Sequence, residues 1–453
     1  MNKDLKPIKR FTLPGNIKYY GTDEDVLIPC KYQEKKQETR GVWFSTVANI
    51  DIPKMKDTSK ESINDLKKFL LSVIDKLKEY HMNTVVFQVR PVNDALYESD
   101  LNPWSSVLTG KEGLYPGFDP FGFFMENIKD KNINVHAWIN PYRAGRVDIV
   151  KEGMSKEDFI NTLDPKNFAR LNPESTILTK QNKLLLDPTS QKVRDFVSDS
   201  CLEIAKKYPV KAIHIDDYFY PYEDIDDPTE ESKCKEAGFT KVSDFRRHNV
   251  DLLIKEIRDK LNTLPRKVVF GISPFAIHRT NSKLFSETER DFEKAWDKGS
   301  NNAPGCLSCY AGLYADVYKW MQEGWIDYVV PQDYWDLDNT TLGEDGKEKC
   351  VVRYADIAKW WSDIAKETNK KIYIGHAIYR VKDDGGTWAN PDEIGNQLKY
   401  NQTLNVHGSI FFTYHDFTRF DSKVLDETRN KLKEMWEHEV EDIWYKISKL
   451  LTR

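Results

Sequence analysis

Eight short runs of β-branched and aromatic residues alternate along this chain with longer segments whose apolar residues recur at helical spacing. Strands are predicted at residues 41–47, 83–89, 134–140, 212–216, 268–273, 327–332, 371–376 and 408–414. Helices are predicted at residues 62–80, 121–131, 192–207, 242–261, 314–323, 354–367, 392–401 and 422–436. Strands that alternate with helices pair in parallel through right-handed crossovers, and eight such units close into a barrel. The sequence therefore predicts an α/β fold, the (β/α)8 TIM barrel, with long βα loops on its catalytic face.

The alternation occupies residues 40–436 of 453, so we expect one barrel domain there. Residues 1–39 lack a periodic apolar pattern and predict an N-terminal arm, and residues 437–453 predict a further C-terminal helix. A doubly wound open sheet is the alternative fold. It often begins with a glycine-rich phosphate loop, and no GxGxxG or GxxxxGK[ST] follows any strand run. The longest loops follow the carboxyl ends of the second and third strand runs, where barrel enzymes build their active sites.

Composition excludes several classes of partner. The chain has 67 basic and 72 acidic residues and a net charge of −5, which gives no electrostatic footprint for nucleic acid or an anionic membrane. No run approaches the roughly 18 apolar residues of a membrane-spanning helix, and no signal peptide is recognisable at the N-terminus. We therefore expect a cytoplasmic protein, or an extracytoplasmic one if a signal segment has been removed. Six cysteines are too few for a disulfide scaffold.

The end of the fourth strand run carries the strongest candidates for catalysis. Strand alternation directs His214 and Asp216 into the barrel, and Asp217 begins the following loop. Two acids beside aromatic rings suit a glycosidase, which needs one protonated and one ionised carboxyl group. A helix cap or a loop salt bridge is the structural alternative for one of them. We predict Asp216 and Asp217 as catalytic residues.

The sixth strand run ends in an amide, an acid and two aromatic rings. Asp333 is the best-placed acid outside the fourth run, so we predict it as a further catalytic carboxyl group. The alternative is that it caps or turns the loop. Its neighbours Gln332, Tyr334 and Trp335 would hydrogen-bond to and stack on a sugar.

Polar and aromatic residues at the other strand ends are candidates for substrate binding, because a polar group inside a barrel must find a partner or serve a ligand. For the arginines, pairing with the acids or bracing of loops is the alternative. The predicted substrate-binding residues are Gln88, Arg90, Trp138, Asn140, Tyr142, Arg143, His214, Tyr218, His278, Gln332, Tyr334, Trp335, His376 and Tyr414.

Other hydrolytic chemistries have weaker support. A serine triad would need a GxSxG elbow, which the sequence lacks. A metal-dependent carbohydrate deacetylase could use His214, Asp216, Asp217 and His376, although no HxH or HExxH spacing occurs. We predict no cofactor and no metal.

The cysteines supply one further alternative. Cys306 and Cys309 form a single CxxC, and Cys234 and Cys350 fall in the loops before and after it. Four thiolates can hold zinc, but one CxxC without a second pair is a weak zinc signal. We expect unlinked thiols.

Many short motifs in a fixed order resemble the glycosyl-hydrolase-10-like family of bacteria, which includes a glycosidase of peptidoglycan strands stripped of their stem peptides. They span roughly residues 40–430 and are RGVW at 40–43, PWS at 103–105, LTG at 108–110, PGFDP at 116–120, VHAW at 135–138, NPYR at 140–143, HIDDYFYP at 214–221, FGISPF at 270–275, LYAD at 313–316, GWIDY at 324–328 and PQ at 331–332. The resemblance implies a barrel that hydrolyses β-linked glycans containing N-acetylated sugars.

The chain departs from this family in three respects. Family members are often secreted lipoproteins and often carry a further C-terminal domain, and neither feature is recognisable here. Asp333 stands where the family pattern leads us to expect an apolar residue, so the resemblance does not support its catalytic role.

The sequence therefore predicts a glycoside hydrolase whose partner is an oligosaccharide or glycan strand, with neither nucleic acid nor membrane insertion. The alternatives are a glycan-binding barrel without catalysis and the deacetylase described above. Retaining and inverting mechanisms both stay open, because the separation of the carboxyl groups decides between them.

Overall fold

The protein is described here from a computed structural model, which covers residues 4–129, 131–286, 293–342 and 348–440. Its main sheet is parallel throughout and closes into a barrel through the seventh strand. This strand is interrupted at Tyr373, and its first half pairs with the sixth strand while its second half pairs with the eighth. The strands are β1 (Thr39–Phe44), β2 (Thr84–Arg90), β3 (Asn134–Ile139), β4 (Ala212–Ile215), β5 (Val269–Ile272), β6 (Tyr328–Val329), β7 (Lys371–Ile372 and Ile374–His376) and β8 (Gly408–Phe411). The predicted (β/α)8 barrel is confirmed.

Eight helices follow the eight strands and form the outer layer. They are α1 (Lys60–Glu79), α2 (Pro120–Ile128), α3 (Gln191–Lys207), α4 (Val242–Asn262), α5 (Val317–Gln322), α6 (Tyr354–Glu367), α7 (Glu393–Asn401) and α8 (Lys423–Met435). Helix α1 shows why these segments are helical. Ser59 accepts a hydrogen bond from the Ser62 amide and caps the first turn, and the buried leucines at positions 66, 70 and 77 form one apolar face against the barrel.

Shorter elements decorate the barrel. The N-terminal arm forms an antiparallel pair, and the loops after β3 and β4 share a three-stranded sheet. The additional strands are Leu5–Pro7, Leu27–Pro29, Thr176–Thr179, Leu184–Leu186, Ile225–Asp226, Thr280–Asn281, Ala295–Trp296, Thr340–Leu342 and Glu348–Cys350. The additional α-helices are Ser106–Thr109, Lys156–Thr162, Phe168–Leu171, Glu230–Glu236 and Cys309–Gly312, and the 3-10 helices are Val47–Asn49, Pro173–Ser175, Ser282–Leu284, Ile378–Arg380, Gly386–Ala389 and Tyr414–Phe417.

The predicted C-terminal helix falls mostly outside the described residues. Residues 437–440 are not helical, and residues 441–453 lie beyond the described part of the chain. Within the described ranges, no helix combines the length and the apolar character that crossing a bilayer requires.

Side chains fill the interior of the barrel and form a floor beneath its mouth. The register aligns His214 of β4 with Trp138 of β3 and with Gly271 of β5. A Cβ atom on Gly271 would lie 2.1 Å from the ring of Tyr328, so this position needs glycine for the ring to occupy the barrel centre. The hydroxyl group of Tyr328 lies 2.9 Å from Nδ1 of both His214 and His136.

Asp333 is a fully buried acid. Gln332, one residue earlier, forms bridges to Phe275 and Gly375 and faces the barrel mouth, so strand alternation turns Asp333 away from the mouth. Neither carboxyl oxygen of Asp333 has a hydrogen-bond partner among the described residues. Burial, and then the nearby charge of Asp356, raises the pKa of Asp333 well above its ordinary value. Folding therefore favours the protonated form of this carboxyl group.

The raised pKa of Asp333 leads us to predict that the stability of the protein depends on pH. The unfolded chain releases the proton of this carboxyl group near pH 4 whereas the folded chain keeps it, so the free energy of unfolding should fall as pH rises, by at most about 1.4 kcal/mol per pH unit. Asp333→Asn never ionises and should remove this contribution. We expect the melting temperature of the wild type to fall relative to that of Asp333→Asn between pH 5 and pH 8. Asp384→Asn, at an exposed aspartate, is the matched control. If the melting temperatures of wild type and Asp333→Asn changed with pH in the same way, this explanation would be contradicted.

Candidate active site

Strand β4 delivers two carboxyl groups to the barrel mouth. His214 points into the barrel and forms part of the floor, where its Nε2 atom lies 3.0 Å from Ser273 Oγ. Asp216 follows two residues later on the same side of the chain, at the level of the mouth. Asp217 begins the next loop, and both aspartates are buried.

Asp216 is held by Asn140, which directly follows β3, and by the backbone of the loop after β4. Its Oδ2 atom accepts a hydrogen bond of 2.6 Å from Asn140 Nδ2, and its Oδ1 atom accepts one of 3.1 Å from the Tyr218 amide. Gln88 Nε2 donates in turn to Asn140 Oδ1 at 2.6 Å. The Oε1 atom of Gln88 accepts from the backbone amides of residues 46 and 47, so its orientation is determined by the loop after β1.

Asp217 is held from the opposite side of the mouth. Gln332 Nε2 donates to Asp217 Oδ1 at 3.0 Å and to the Ser273 carbonyl oxygen at 2.9 Å. The hydroxyl group of Tyr222 donates to Asp217 Oδ2. Tyr222 is nevertheless 52% exposed, so the ring that carries this hydroxyl group is in contact with solvent.

The surroundings of the two acids give their carboxyl groups different pKa values. Burial raises the pKa of both carboxyl groups, and the charge of Asp216 adds to this effect at Asp217, whose pKa rises to about 6. At Asp216 the Arg143 guanidinium opposes burial and lowers the pKa, as do the hydrogen bonds from Tyr218 and Asn140. Arg143 itself stacks on the Tyr218 ring, with its guanidinium carbon 4.2 Å from the ring centre. Because a cation and hydrogen-bond donors surround Asp216, it is the acid that loses its proton first as pH rises.

A cavity of about 160 Å³ lies above the two acids. Four aromatic rings and two carboxyl groups contribute to its wall, and no third carboxyl group belongs to the lining within the described ranges. The lining residues are Trp43, Ser45, Val47, Ile50, Gln88, Trp138, Arg143, Asp216, Asp217, Ser273, Gln332, Tyr334 and Phe412.

Many of the predicted site residues meet at this cavity. Gln88, Trp138, Arg143, Gln332 and Tyr334 line it together with the two acids. Three more lie next to the lining. Asn140 and Tyr218 contact Asp216, and His214 lies beneath it.

Arg90, Tyr142 and Trp335 are not part of the lining. Arg90 is completely buried and donates to Asn102 Oδ1 at 3.0 Å and to the Asn140 carbonyl oxygen at 2.7 Å, so it braces the loops that flank the site. Tyr142 is completely buried. Trp335 packs edge-on against Phe275.

The predicted histidines and tyrosine of the later loops also lie elsewhere. His278 lies in the loop after β5 and packs against the ring of Trp296 from the same loop and that of Trp360 from α6. His376 faces the helix layer, where Nδ1 lies 2.8 Å from Gln397 Oε1 and Nε2 lies 2.9 Å from Ser409 Oγ. Tyr414 packs on Phe44 and Phe69. The deacetylase alternative requires His376 to lie close to the aspartates, and the structure does not bring it there.

Asp333 is likewise absent from the cavity lining. The prediction rests on its place at a strand end, but the side of the strand decides access to the mouth, and Gln332 occupies the inward side. Of the three predicted catalytic acids, Asp216 and Asp217 are therefore the two that the structure places together in the cavity.

Sequence reasoning missed several lining residues and one partner of the acids. The missed residues are Trp43, Ser45, Val47, Ile50, Tyr222, Ser273 and Phe412. Trp43, Ser273 and Phe412 lie at or near strand ends and had the same positional signal as the predicted residues. Tyr222 had no such signal, because it lies five residues beyond Asp217 and reaches back through a loop turn.

The structure shows no built metal site among the residues that it describes. No group of three or more His, Cys, Asp or Glu side chains there is arranged to hold a metal ion. Cys306 and Cys309 are free thiols, and Cys309 Sγ lies 3.3 Å from His278 Nδ1. The four-thiolate alternative also needs Cys350, for which the structure describes the backbone strand but not the side chain.

Comparison with known proteins places this site in a family. The profile of the family described as "Glycosyl hydrolase-like 10" matches residues 38–389. Glycosyl hydrolase YngK of Bacillus subtilis is 32% identical over 88% of this chain and 72% of its own length. Glycosyl hydrolase DigH of Escherichia coli K12 is 30% identical over 85% of this chain and 84% of its own length.

A solved structure agrees on the fold. The catalytic domain of a β-amylase from Paenibacillus polymyxa superimposes with a TM-score of 0.52 at 10% identity, covering 88% of this chain and 98% of that chain. At this identity the likeness concerns the barrel alone. The family profile spans most of the chain, including both aspartates, and the chain belongs to the glycosyl hydrolase-like 10 family.

Proposed function

We propose that this protein is a glycoside hydrolase that cleaves glycan strands of N-acetylated sugars of the peptidoglycan type. Membership of a glycosyl hydrolase-like family and a TIM-barrel fold support glycan hydrolysis in general. The observation that carries the catalytic part is the pair Asp216 and Asp217, two buried and electrostatically coupled carboxyl groups with different partners in one aromatic-lined cavity. The N-acetylated substrate rests on the motif resemblance.

In this proposal Asp217 is the general acid. Glycoside hydrolysis requires a carboxylic acid to protonate the oxygen of the leaving sugar. Burial and the neighbouring charge of Asp216 keep a proton on Asp217 in mildly acidic solution, where an unperturbed aspartate has already lost it.

Asp216 is the ionised partner. The transition state of glycoside hydrolysis carries positive charge on the sugar ring, and a carboxylate in a buried site stabilises such charge strongly. Arg143, Asn140 and the Tyr218 amide keep Asp216 in its charged form. The hydrogen bonds from Asn140 and Tyr218 also hold its orientation, so little reorganisation is needed during the reaction.

The cavity wall suits a sugar. Trp43, Trp138, Tyr334 and Phe412 contribute aromatic surface on which the apolar face of a pyranose ring can stack, and Gln332 and Ser45 contribute polar atoms to the same wall. Pockets of this kind combine an apolar wall with a few placed polar groups that give orientation.

Removal of either acid tests the proposal. Asp217→Asn and Asp216→Asn should each lower the rate of strand cleavage by at least about 100-fold, since positioned acid–base groups contribute 10²–10⁴. The measurement is the release of soluble oligosaccharides from peptidoglycan strands stripped of their peptides. Asp226→Asn, the same change at an exposed aspartate in the same loop, should cleave at the wild-type rate. Binding of the strands by wild type without any turnover would contradict hydrolysis, and release of acetate in place of oligosaccharides would identify a deacetylase.

The pH profile tests the assignment of roles. A general acid acts while protonated, so kcat/KM should be lost as pH rises through about 6, the pKa of Asp217. Tyr222 and Gln332 donate to the ionised form of Asp217 and lower its pKa. Tyr222→Phe should therefore raise that pKa and move the alkaline limb of the profile to higher pH. Asp216→Asn removes a neighbouring negative charge and should move the limb of its residual activity to lower pH.

Tyr115→Phe, at an exposed tyrosine in the loop after β2, is the matched control and should leave the profile unchanged. A uniform loss of activity at every pH in Tyr222→Phe, with no displacement of the limb, would contradict the assignment of Asp217 as the acid.

A further inference from the structure

The catalytic cavity is too small for a strand of several sugars. Its volume of about 160 Å³ lies below the roughly 300–1,000 Å³ of pockets that enclose a drug-sized ligand. It therefore has room for about one sugar ring. If the substrate is a glycan strand, as proposed above, the sugars next to the reacting one must lie on the surface outside the cavity.

Tyr379 offers such a surface beside the cavity. It belongs to the 3-10 helix Ile378–Arg380, which directly follows β7, and its amide donates to the Phe412 carbonyl oxygen at 3.3 Å. Its ring lies 5.8 Å from the ring of Tyr334 and 6.0 Å from that of Phe412, at interplanar angles of 85° and 81°. Tyr334 and Phe412 both line the cavity, so Tyr379 extends its aromatic wall outward.

The ring of Tyr379 is both accessible and supported. The residue is 40% exposed, whereas its two ring partners are partly buried in the cavity wall. Arg380 Nε donates to the Tyr379 hydroxyl oxygen at 3.4 Å, and the Arg380 guanidinium carbon also lies 6.0 Å from the centre of the buried Trp388 ring. An exposed ring that is already held in place loses little conformational entropy when a ligand stacks on it.

Other exposed rings on the described surface are placed differently. Tyr222 donates its hydroxyl group to Asp217 and so belongs to the acid. Phe420 is 78% exposed and lies under the Arg429 guanidinium, without a contact to a ring of the cavity wall. Tyr115 packs on Trp104 in the loop after β2. Tyr379 combines exposure with direct contact to two rings of the wall.

We propose that Tyr379 is the platform of a second sugar subsite, which binds the pyranose unit next to the one in the cavity. This inference rests on the proposed function. The ligand is a β-linked oligosaccharide, whose pyranose rings carry an apolar C–H face that stacks on aromatic rings and hydroxyl groups that Arg380 can reach. Such a subsite makes affinity depend on chain length, because a single sugar occupies the cavity alone.

The experiment measures binding without turnover, in an Asp217→Asn background. A tetrasaccharide of β-linked N-acetylated sugars is titrated by calorimetry, and the methyl glycoside of one such sugar is titrated by NMR. Adding Tyr379→Ala should lower the affinity for the tetrasaccharide by about tenfold, in keeping with the loss of one aromatic contact. The affinity for the methyl glycoside should stay unchanged. Tyr379→Phe keeps the ring and should retain most of the affinity. Phe420→Ala, at an exposed ring without contact to the cavity wall, is the control and should bind both ligands like the parent.

The outcomes separate the subsite from the proposed function. Unchanged binding of the tetrasaccharide by Tyr379→Ala, or an equal loss for both ligands, overturns the subsite and leaves the proposed function standing. Failure of the Asp217→Asn parent to bind either sugar overturns the proposed substrate and the subsite with it.

Discussion

The removal of two neighbouring carboxyl groups from water at the end of β4 is the constraint on which the mouth of the barrel depends. Burying two negative charges side by side is costly, so one of them must keep a proton or each must find a strong partner. The structure does both. Asp216 is surrounded by a guanidinium and two N–H donors, and Asp217 has the pKa that rises to about 6. Residues at the ends of β2, β3, β5 and β6 are arranged around this asymmetry.

The two halves of the site come from opposite sides of the barrel. The loop after β1 orients Gln88, Gln88 orients Asn140, and Asn140 holds Asp216. On the other side, Gln332 ties Asp217 to the end of β5. Because each acid is held by a separate hydrogen-bonded chain, a change on one side alters one protonation state more than the other. A closed barrel supplies this geometry, since its strand ends meet around one opening.

The sequence predicted the fold almost entirely and the site in part. Alternating strand and helix patterns fixed eight units, and alternation within β4 placed His214 inside and Asp216 at the mouth. The same alternation explains why Asp333 is not at the mouth, since the inward position belongs to Gln332. His278, His376 and Tyr414 also lie near strand ends, yet their side chains pack into the layer between strands and helices or into loop clusters. Tyr222 depends on a loop conformation, which strand and helix periodicity does not encode.

The most direct test of the account is a carbon-13 NMR titration of the aspartate carboxyl groups. The resonance of Asp217, identified by its absence from the Asp217→Asn variant, should titrate near pH 6, and Asp216 should titrate at lower pH. In Asp216→Asn the Asp217 resonance should titrate at a lower pH than in the wild type. Titration of Asp217 near pH 4 in the wild type, with no change on removal of Asp216, would contradict a coupled pair in which Asp217 keeps the proton.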